Sequence, residues 1–503
     1  MSKIEFEKLS FAYPGQTAIF NNVSLVIDES WQLGLVGRNG RGKTTLLKII
    51  LNQLEYSGKV FAPFDFVYFP QTVTSPELLA YQVAETIADF EQWQLERELR
   101  LLQVNPDILW RPYQQLSGGE QTKLLLALLF LADDKLPLID EPTNHLDMTG
   151  RQVVAQYLNS KSGYIVVSHD RAFLNEVTDH IIAIEKTDLV LYQGAFEVYE
   201  QEKALRDQFE INQNERLKNE IDRLQKTAKE KSSWSKHREG DKYGHAKIKG
   251  SGSINDTGFI GARSARVMKK AKNLERRMND EIETKSRLLK NLETIDELSI
   301  NYQQSRHSVL IKAENFSLQF NKDQNDLLFQ PTSFELTNFS RLALTGINGS
   351  GKSSVLKYLM NEFKGEAAGC VSIASGLKIS YISQNFENNK GNLKEFARAN
   401  HLDYSLFLNQ LKKLGMERAV FEQRIETMSM GQRKKIELAR ALTVPANLYV
   451  WDEPLNYLDV FNYRQLEQLI LNKLPPMIFV EHDMVFIEKI ANQVIQLNKI
   501  NDI

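Results

Sequence analysis

The sequence predicts an α/β protein in which two tandem P-loop domains are joined by a long α-helical hairpin linker. Three observations predict it. A glycine-rich loop of the form G-x-x-x-x-G-K-[ST] occurs twice, at 37–44 and 346–353, each time between an apolar strand-like run and an apolar helix-like run. The residues after each loop repeat in the same order. Between the copies, Arg223 to Arg277 carries sixteen Lys and Arg against five Asp and Glu, in a chain whose formal net charge is −2. A basic island in an otherwise acidic chain points to a polyanionic partner for the island alone. A chain of 503 residues is too long for one core. The expected division is 1–200 and 301–503 for the two P-loop domains and 201–300 for the linker, with a basic tip at about 234–263. Its 42% apolar and 25% charged content is ordinary for a soluble globular protein. One cysteine, Cys370, excludes an internal disulfide framework and suits a reducing cytosol. Residues 1–7 lack the apolar core of a signal peptide. The longest apolar run, Leu124 to Ala132, is far short of the ~20 residues that span a bilayer.

In the first copy, Leu33 to Val36 reads as the strand before the loop, and Leu46 to Ile50 as the start of the following helix. Gly37, Gly40 and Gly42 let the backbone curl with its N–H groups toward phosphate oxygens. Lys43 can reach the outer phosphates, and the Thr44 hydroxyl, with Thr45 beside it, can reach Mg²⁺. Tyr13, on the turn Ala12-Tyr-Pro-Gly15, is a candidate platform for a base. A short strand, Val67 to Pro70, ends at Gln71. Ser117-Gly118-Gly119 opens the next helix, and Leu136 to Ile139 is an apolar strand ending in Asp140 and Glu141. Asp140 is placed for Mg²⁺ through water, and Glu141 to orient or deprotonate an attacking water. Asp147 follows, and a further buried strand from Tyr164 ends at His169.

The second copy supplies Phe320 in the place of Tyr13. It then gives Gly346, Asn348, Gly349, Gly351, Lys352, Ser353 and Ser354 as the loop, Gln384, Ser429 and Gly431, Asp452 and Glu453, Asp459, and His482. Lysine to carboxylate-strand Asp is 97 residues in one copy and 100 in the other; Asp to His is 29 and 30; Gln to Ser is 46 and 45. Chance does not produce a spacing-matched internal duplication of this kind.

The linker has helical patterns on both sides. Leu217, Ile221, Leu224 and Ala228 recur at coiled-coil spacing, as do Val267, Ala271, Leu274 and Met278. The stretch between them is Gly-rich and polar. Trp234, Tyr243, His245 and Phe259 are stacking candidates there. Arg238, Lys242, Lys247, Lys249, Arg263 and Arg266 are candidate phosphate contacts, a mixture that fits structured RNA.

The order P-loop, Gln, Ser-Gly-Gly, Asp-Glu, Asp, His resembles the nucleotide-binding domain of the ATP-binding-cassette (ABC) family. Two such cassettes joined by a basic helical hairpin resemble its ABC-F branch. Phe66-Val-Tyr-Phe-Pro-Gln71, Glu91-Gln-Trp-Gln-Leu-Glu-Arg-Glu98, Arg238-Glu-Gly-Asp-Lys-Tyr-Gly244, Gly261-Ala-Arg-Ser-Ala-Arg266, Met428-Ser-Met-Gly-Gln-Arg-Lys434 and Trp451-Asp-Glu-Pro-Leu-Asn-Tyr-Leu-Asp459 are similar to the Lsa-type antibiotic-resistance proteins of that branch. The resemblance implies a Mg²⁺-dependent ATPase with two composite sites. One would join Lys43 to Ser429 and Gly431; the other would join Lys352 to Ser117 and Gly119, with Gly118 between them. Asn39 and Asn348 would lie in the nucleotide-binding loops, and Gln71 and Gln384 would join Thr44, Asp140, Ser353 and Asp452 at the metal. The catalytic groups would be Glu141, Glu453, His169 and His482. The implied partner is the 70S ribosome (23S rRNA and P-site tRNA) at the tRNA exit site. Neither membrane nor DNA is implied, and the chain would act as a monomer in the cytoplasm. The implied outcome is resistance to lincosamides, streptogramin A compounds and pleuromutilins. Two other readings stand beside it: a housekeeping translation factor acting on stalled ribosomes, and the ATPase part of an exporter. The sequence departs from the family's Leu-Ser-Gly-Gly-Gln signature at Glu120 in the first copy and at Met428 and Met430 in the second.

Overall fold

The computed structural model describes residues 2–500 apart from 16, 132–134, 145, 241–268, 270–272, 274–275, 279–280, 282–295, 321–326 and 387–388; for 228–229 and 231–240 it describes the backbone. Compactness divides the chain into two units, Met1–Tyr199 with Ile295–Ile503, and Glu200–Thr294.

The first unit contains the duplication. Copy one runs β1 (Lys3–Phe11), β2 (Phe20–Asp28), β3 (Gln32–Gly37), β4 (Ser57–Phe61), β5 (Asp65–Phe69), β6 (Lys135–Asp140), β7 (Tyr164–Val167), β8 (His180–Glu185) and β9 (Asp188–Gln193). Copy two runs β10 (Val309–Gln319), β11 (Thr332–Thr337), β12 (Arg341–Thr345), β13 (Glu366–Ile373), β14 (Ile379–Ile382), β15 (Leu448–Asp452), β16 (Met477–Val480) and β17 (Gln493–Gln496). Each copy has a three-stranded antiparallel sheet, β2-β1-β4 or β11-β10-β13. Each also has a larger sheet, β5-β6-β7-β3-β8-β9 or β14-β15-β16-β12-β17, whose strands are parallel except for the β8–β9 pair. The orders match strand for strand apart from β9, which has no counterpart among the described residues of copy two.

The central strands show why this fold forms. Tyr-Ile-Val-Val in β7 and Met-Ile-Phe-Val in β16 are buried at every position, as a parallel strand covered on both faces requires. β1 instead alternates, burying Ile4, Phe6, Leu9 and Phe11. On one side of the parallel sheet of copy one, Leu33 and Leu35 pack with Leu46, Leu47 and Ile50 of the P-loop helix. On the other, Val36, Val166 and Ala183 pack with Leu124 to Leu129 of the helix Gly118–Leu129. That helix starts six residues before its apolar run, because Ser117 caps it. Between β5 and Ser117 lie two helices, Ala80–Ile87 and Gln92–Leu101; their counterparts are Leu393–Ala399 and Tyr404–Lys413. The equal helix content agrees with the equal Gln-to-Ser spacing.

In the linker, one helix runs from Phe196 to Gly240, roughly 68 Å at 1.5 Å per residue. It passes through Trp234 and Arg238, where the sequence shows no apolar period. With neither Pro nor Gly before Gly240, a Lys- and Glu-rich segment holds helical backbone without an apolar stripe. Ile221 is buried, and Leu217 and Leu224 are half-buried, on the face expected for the seam. Met278 is buried as well, whereas Val267, Ala271 and Leu274 lie outside the described residues, as does the side chain of Ala228.

Candidate functional site

The two P-loops are the turns after β3 and β12. Gly40 and Gly42 have φ of 82° and 97°, and Gly349 and Gly351 of 80° and 92°, left-handed values that favour glycine. A Cβ at Gly40 or Gly349 would meet nothing within 4 Å, so the hollow of each loop is open. The helices Lys43–Ile50 and Lys352–Leu359 start at Gly42 and Gly351 without a side-chain cap, which leaves their first N–H groups to bind an anion. Lys43 and Lys352 are buried. The Lys43 ammonium donates to Gly37 O at 2.8 Å, and that of Lys352 to Gly346 O at 2.7 Å and Ile347 O at 2.9 Å. Burial pushes both lysines down, and Glu141, Asp459 and Asp140 oppose this at Lys43. A buried cation held mainly by carbonyls at the mouth of an open N–H cradle suits a triphosphate.

The metal half of the site has hard oxygen donors. The Thr44 hydroxyl donates to Asp140 Oδ2 at 3.1 Å, and the Tyr68 hydroxyl donates to the same oxygen at 3.0 Å. Gln71 Oε1 and both carboxylate oxygens of Asp452 are buried without a hydrogen-bond partner. Burial raises Asp452 to about 6, opposed by the nearby Ser353 hydroxyl. Among the described residues no group of three or more His, Cys, Asp or Glu could hold a metal. A hydroxyl, a carboxylate and a carboxamide therefore fit Mg²⁺, which takes few protein ligands and completes its shell with water and substrate phosphate.

Glu141 and Glu453 follow Asp140 and Asp452 with φ of 54° and 48°. Their N–H groups bond Val167 O at 2.8 Å and Val480 O at 3.0 Å on the neighbouring strands, which fixes the turn. Left-handed backbone at a non-glycine residue costs of order 1–3 kcal/mol and collects at functional sites. Here it turns each carboxylate toward its histidine: His169 Nε2 is 3.4 Å from Glu141 Oε1, and His482 Nε2 is 3.5 Å from Glu453 Oε1.

Beyond that pairing the two sites differ. Glu453 Oε2 accepts from Gln384 Nε2 at 3.1 Å and from Asn456 Nδ2. Gln71 instead donates to Leu125 O at 3.2 Å, and Glu141 Oε1 has no hydrogen bond. Burial pushes Glu141 well above the usual carboxylate range, against the pull of Lys43. Burial acts on Glu453 too, but the bonds from His482 and Gln384 hold it below its ordinary value. Burial also keeps His169 neutral.

The halves meet head to tail. Asn39 N donates to Asp459 Oδ2 at 2.8 Å, Asn39 Nδ2 donates to Tyr457 O at 3.0 Å, and Arg38 lies over the Phe461 ring at 5.2 Å. In return Asn348 N donates to Asp147 Oδ2 at 3.1 Å. Asp147 and Asp459 also cap the helices Met148–Asn159 and Val460–Lys473. Ser429 caps the helix Met430–Thr443, and a Cβ on Gly431 would lie 3.4 Å from Asn39 Nδ2. Ser117 caps its helix, and a Cβ on Gly119 would lie 3.6 Å from Leu146 Cδ2. Both signature serines form capping boxes. Glu120 Oε2 accepts from Ser117 N at 2.7 Å and from its hydroxyl at 2.8 Å; Gln432 Oε1 accepts from Ser429 N at 2.9 Å. The departures from the signature are thus accommodated locally: Met428 is buried in the core as Leu116 is, and Met430 is exposed on the first turn.

The Tyr13 hydroxyl is 3.2 Å from Thr45 Oγ1 and its ring meets Phe11 edge-on, so it is tied to the P-loop. Phe320 is exposed against Phe363. Three residues that complete the sites were not singled out from sequence. Tyr68 and Asn456 carried a signal, because the duplication pairs them with Tyr381 and Asn144. Lys434, whose buried ammonium donates to Glu453 O at 2.8 Å, stands opposite Thr122 and had none. Of the linker candidates, Lys242, Tyr243, His245, Lys247, Lys249, Phe259, Arg263 and Arg266 lie outside the described residues, as do the side chains of Trp234 and Arg238.

Two P-loops, each bonded to the opposite half at Asp459 or Asp147 and the first also beside Gly431 of that half's signature helix, with paired carboxylates and histidines behind them, define a tandem-cassette ATPase that uses ATP with Mg²⁺. The chain belongs to the ABC transporter family, whose model matches residues 20–144 and 329–456, just over half of its length. It is 27% identical over 97% of its length to the ribosome protection protein VmlR of Bacillus subtilis (strain 168), covering 85% of that protein. It is 28% identical over 98% of its length to the ATP-binding protein Uup of Buchnera aphidicola, covering 80% of that protein. These relatives support an ABC-F family ATPase. Among solved structures, the RNase-L inhibitor matches 97% of the chain at TM-score 0.61 and 18% identity, covering 87% of that protein. An archaeal ribosome recycling factor, aABCE1, solved with the ribosomal stalk protein aP1, matches 94% at TM-score 0.58 and 16% identity, covering 85% of that chain. Both likenesses concern the fold. Among the described residues no helix is long and apolar enough to cross a membrane.

Proposed function

We propose that this ATPase is a cytoplasmic ribosome protection factor of the Lsa type. It binds the 70S ribosome at the tRNA exit site as a monomer and directs its linker toward the peptidyl-transferase centre. It thereby confers resistance to lincosamides, streptogramin A compounds and pleuromutilins. The observation that carries this reading is end-to-end similarity to a ribosome protection protein in a chain with a net excess of positive charge between its two cassettes. In this reading the two cassettes act as a clamp. Lys43 and Lys352 hold phosphate, Tyr13 and Phe320 face the base, and Ser429 with Gly431, or Ser117 with Gly119, closes each site. Glu141 and Glu453 orient water, with His169 and His482 holding them in place. The basic residues of 234–266 meet 23S rRNA and the P-site tRNA. A second reading is a housekeeping factor for stalled ribosomes; similarity at the same level to Uup, named only as an ATP-binding protein, leaves the resistance role without a second witness.

The test is expression in a susceptible bacterium and measurement of inhibitory concentrations for the three drug classes. Protection against at least one class, lost on deletion of 234–263, supports the first reading. Unchanged susceptibility to all three favours the second.

A further inference from the structure

The boundary between the cassettes carries a buried ionic cluster that the nucleotide sites do not use. At its centre is Arg171, 3% exposed, directly after the His169-Asp170 pair. Its guanidinium donates to Glu467 Oε1 at 2.5 Å, across the boundary on the helix Val460–Lys473. It also lies 3.5 Å from Asp483, the residue directly after His482, and 5.7 Å from the Tyr463 ring centroid. Lys489 reaches the other oxygen of Glu467 at 3.2 Å. Burial raises Asp483, and Arg171 pulls it back.

Each neighbour of Arg171 is itself fixed. Asp170 caps the helix Arg171–Val177 through Phe173 N at 3.0 Å and accepts from Arg151 at 2.8 Å. Asp483 caps the helix Met484–Ile490 through Phe486 N at 2.8 Å. Arg171 therefore grips the N-cap carboxylate next to His482 while standing one residue beyond the N-cap next to His169. Arg171 thus touches both histidine-bearing switch segments, 169–171 and 482–484, through a single guanidinium.

The arrangement breaks the internal repeat. Alignment of Asp147 with Asp459 and of Asp170 with Asp483 pairs Arg171 with Met484, Glu467 with Ala155, and Tyr463 with Arg151. The mirror-related position thus has a methionine and an alanine where this one has an ion pair. A fold-stabilising contact common to the duplication would occur twice; this one occurs once, at the point where both switch segments come together. Breaking one partner of a buried pair leaves an uncompensated charge and is strongly destabilising, whereas exchanging both for apolar residues is often neutral. That difference separates a positioning role from a structural one.

We infer that Arg171 is a positioning residue for ATP hydrolysis at both sites: by holding Glu467 and Asp483 of the other cassette it keeps the His169 and His482 segments in register. The inference rests on the ATPase activity alone and needs no ribosome, so its failure and that of ribosome protection are separable.

The experiment compares the full-length chain with Arg171→Met, Glu467→Ala and the triple variant Arg171→Met/Tyr463→Arg/Glu467→Ala, which copies the mirror arrangement and offers Asp483 the arginine that Asp170 has in Arg151. Melting temperature, kcat and ATP KM are measured for each. In Arg171→Met both melting temperature and kcat fall. In the triple variant the melting temperature recovers to within a few degrees of the native chain, kcat stays at least tenfold down, and KM stays within threefold. If kcat recovers with stability in the triple variant, if it falls less than tenfold there, or if stability does not recover, Arg171 is a structural contact only and the inference is overturned. Should Arg171→Met fail to fold, the triple variant, in which the ion pair is gone and Asp483 keeps an arginine, carries the test alone.

Discussion

The signature glycines Gly119 and Gly431 hold equivalent positions but have unequal surroundings, and alanine at each makes a controlled pair. A Cβ at Gly431 would fall 2.9 Å from Tyr457 O and 3.4 Å from Asn39 Nδ2. Those two atoms form the 3.0 Å bridge that joins the first P-loop to the second cassette. The methyl group cannot be housed without moving a backbone carbonyl, so Gly431→Ala prises the bridge apart. Losing that bond costs about 0.5–1.5 kcal/mol, and weakening the adjacent charge-assisted bond from Asn39 N to Asp459 adds to it, so the total is on the order of 1–3 kcal/mol. At 1.4 kcal/mol per decade this raises the ATP concentration needed for closure roughly 5- to 150-fold. At Gly119 the added Cβ meets only Leu146 Cδ2, at 3.6 Å, an ordinary contact. There alanine in place of glycine gains up to ~1 kcal/mol of helix propensity. The assay is steady-state ATPase against ATP concentration, with melting temperature as a control for folding. Gly431→Ala shows the raised KM, and Gly119→Ala stays near the native chain and melts no lower. Equal effects of the two substitutions, or a native KM in Gly431→Ala, would refute the reasoning that the Asn39–Tyr457 bridge closes the site.

Glu141→Gln/Glu453→Gln removes both carboxylates while leaving Lys43, Lys352 and the crossing bonds in place; it retains bound ATP, and on the proposed function it co-sediments with ribosomes in ATP more than the native chain does. Because burial raises Glu141 and local bonds lower Glu453, the single variants differ in pH response. Glu453→Gln, turning over through Glu141, loses activity at a higher pH on acidification than Glu141→Gln, which turns over through an already ionised Glu453; ATPase rates from pH 5 to 9 give both limbs, and superimposed limbs contradict the assignment. Ribosome binding weakens steeply between 50 and 200 mM salt if the basic stretch displaces counterions from RNA, as sedimentation across that range would record.

Motifs were legible where chemistry constrains the backbone. A phosphate cradle needs left-handed glycines, so Gly40, Gly42, Gly349 and Gly351 leave a pattern in sequence, and the carboxylates at the ends of β6 and β15 leave another. The second copy then converted single-residue guesses into matched pairs. Differences between the sites were not legible, because they arise from partners rather than letters. Gln71 and Gln384 are the same residue at the same place, yet one bonds a helix carbonyl and the other the Glu453 carboxylate. Lys434 and Arg171 have no counterpart in the other half, so the repeat that exposed the motifs concealed them. Asn39 reads as part of a nucleotide-binding loop; its N–H also meets a carboxylate 420 positions away, a pairing that no local pattern encodes. The extent of the Phe196–Gly240 helix escaped for the opposite reason: its far end carries no apolar stripe, so periodicity fell silent where composition and the lack of breakers still maintained the helix. A motif fixes which groups arrive at a site. Their ionisation depends on how deeply each is buried and which donors reach it, and those follow from the packing of two non-identical halves against one another.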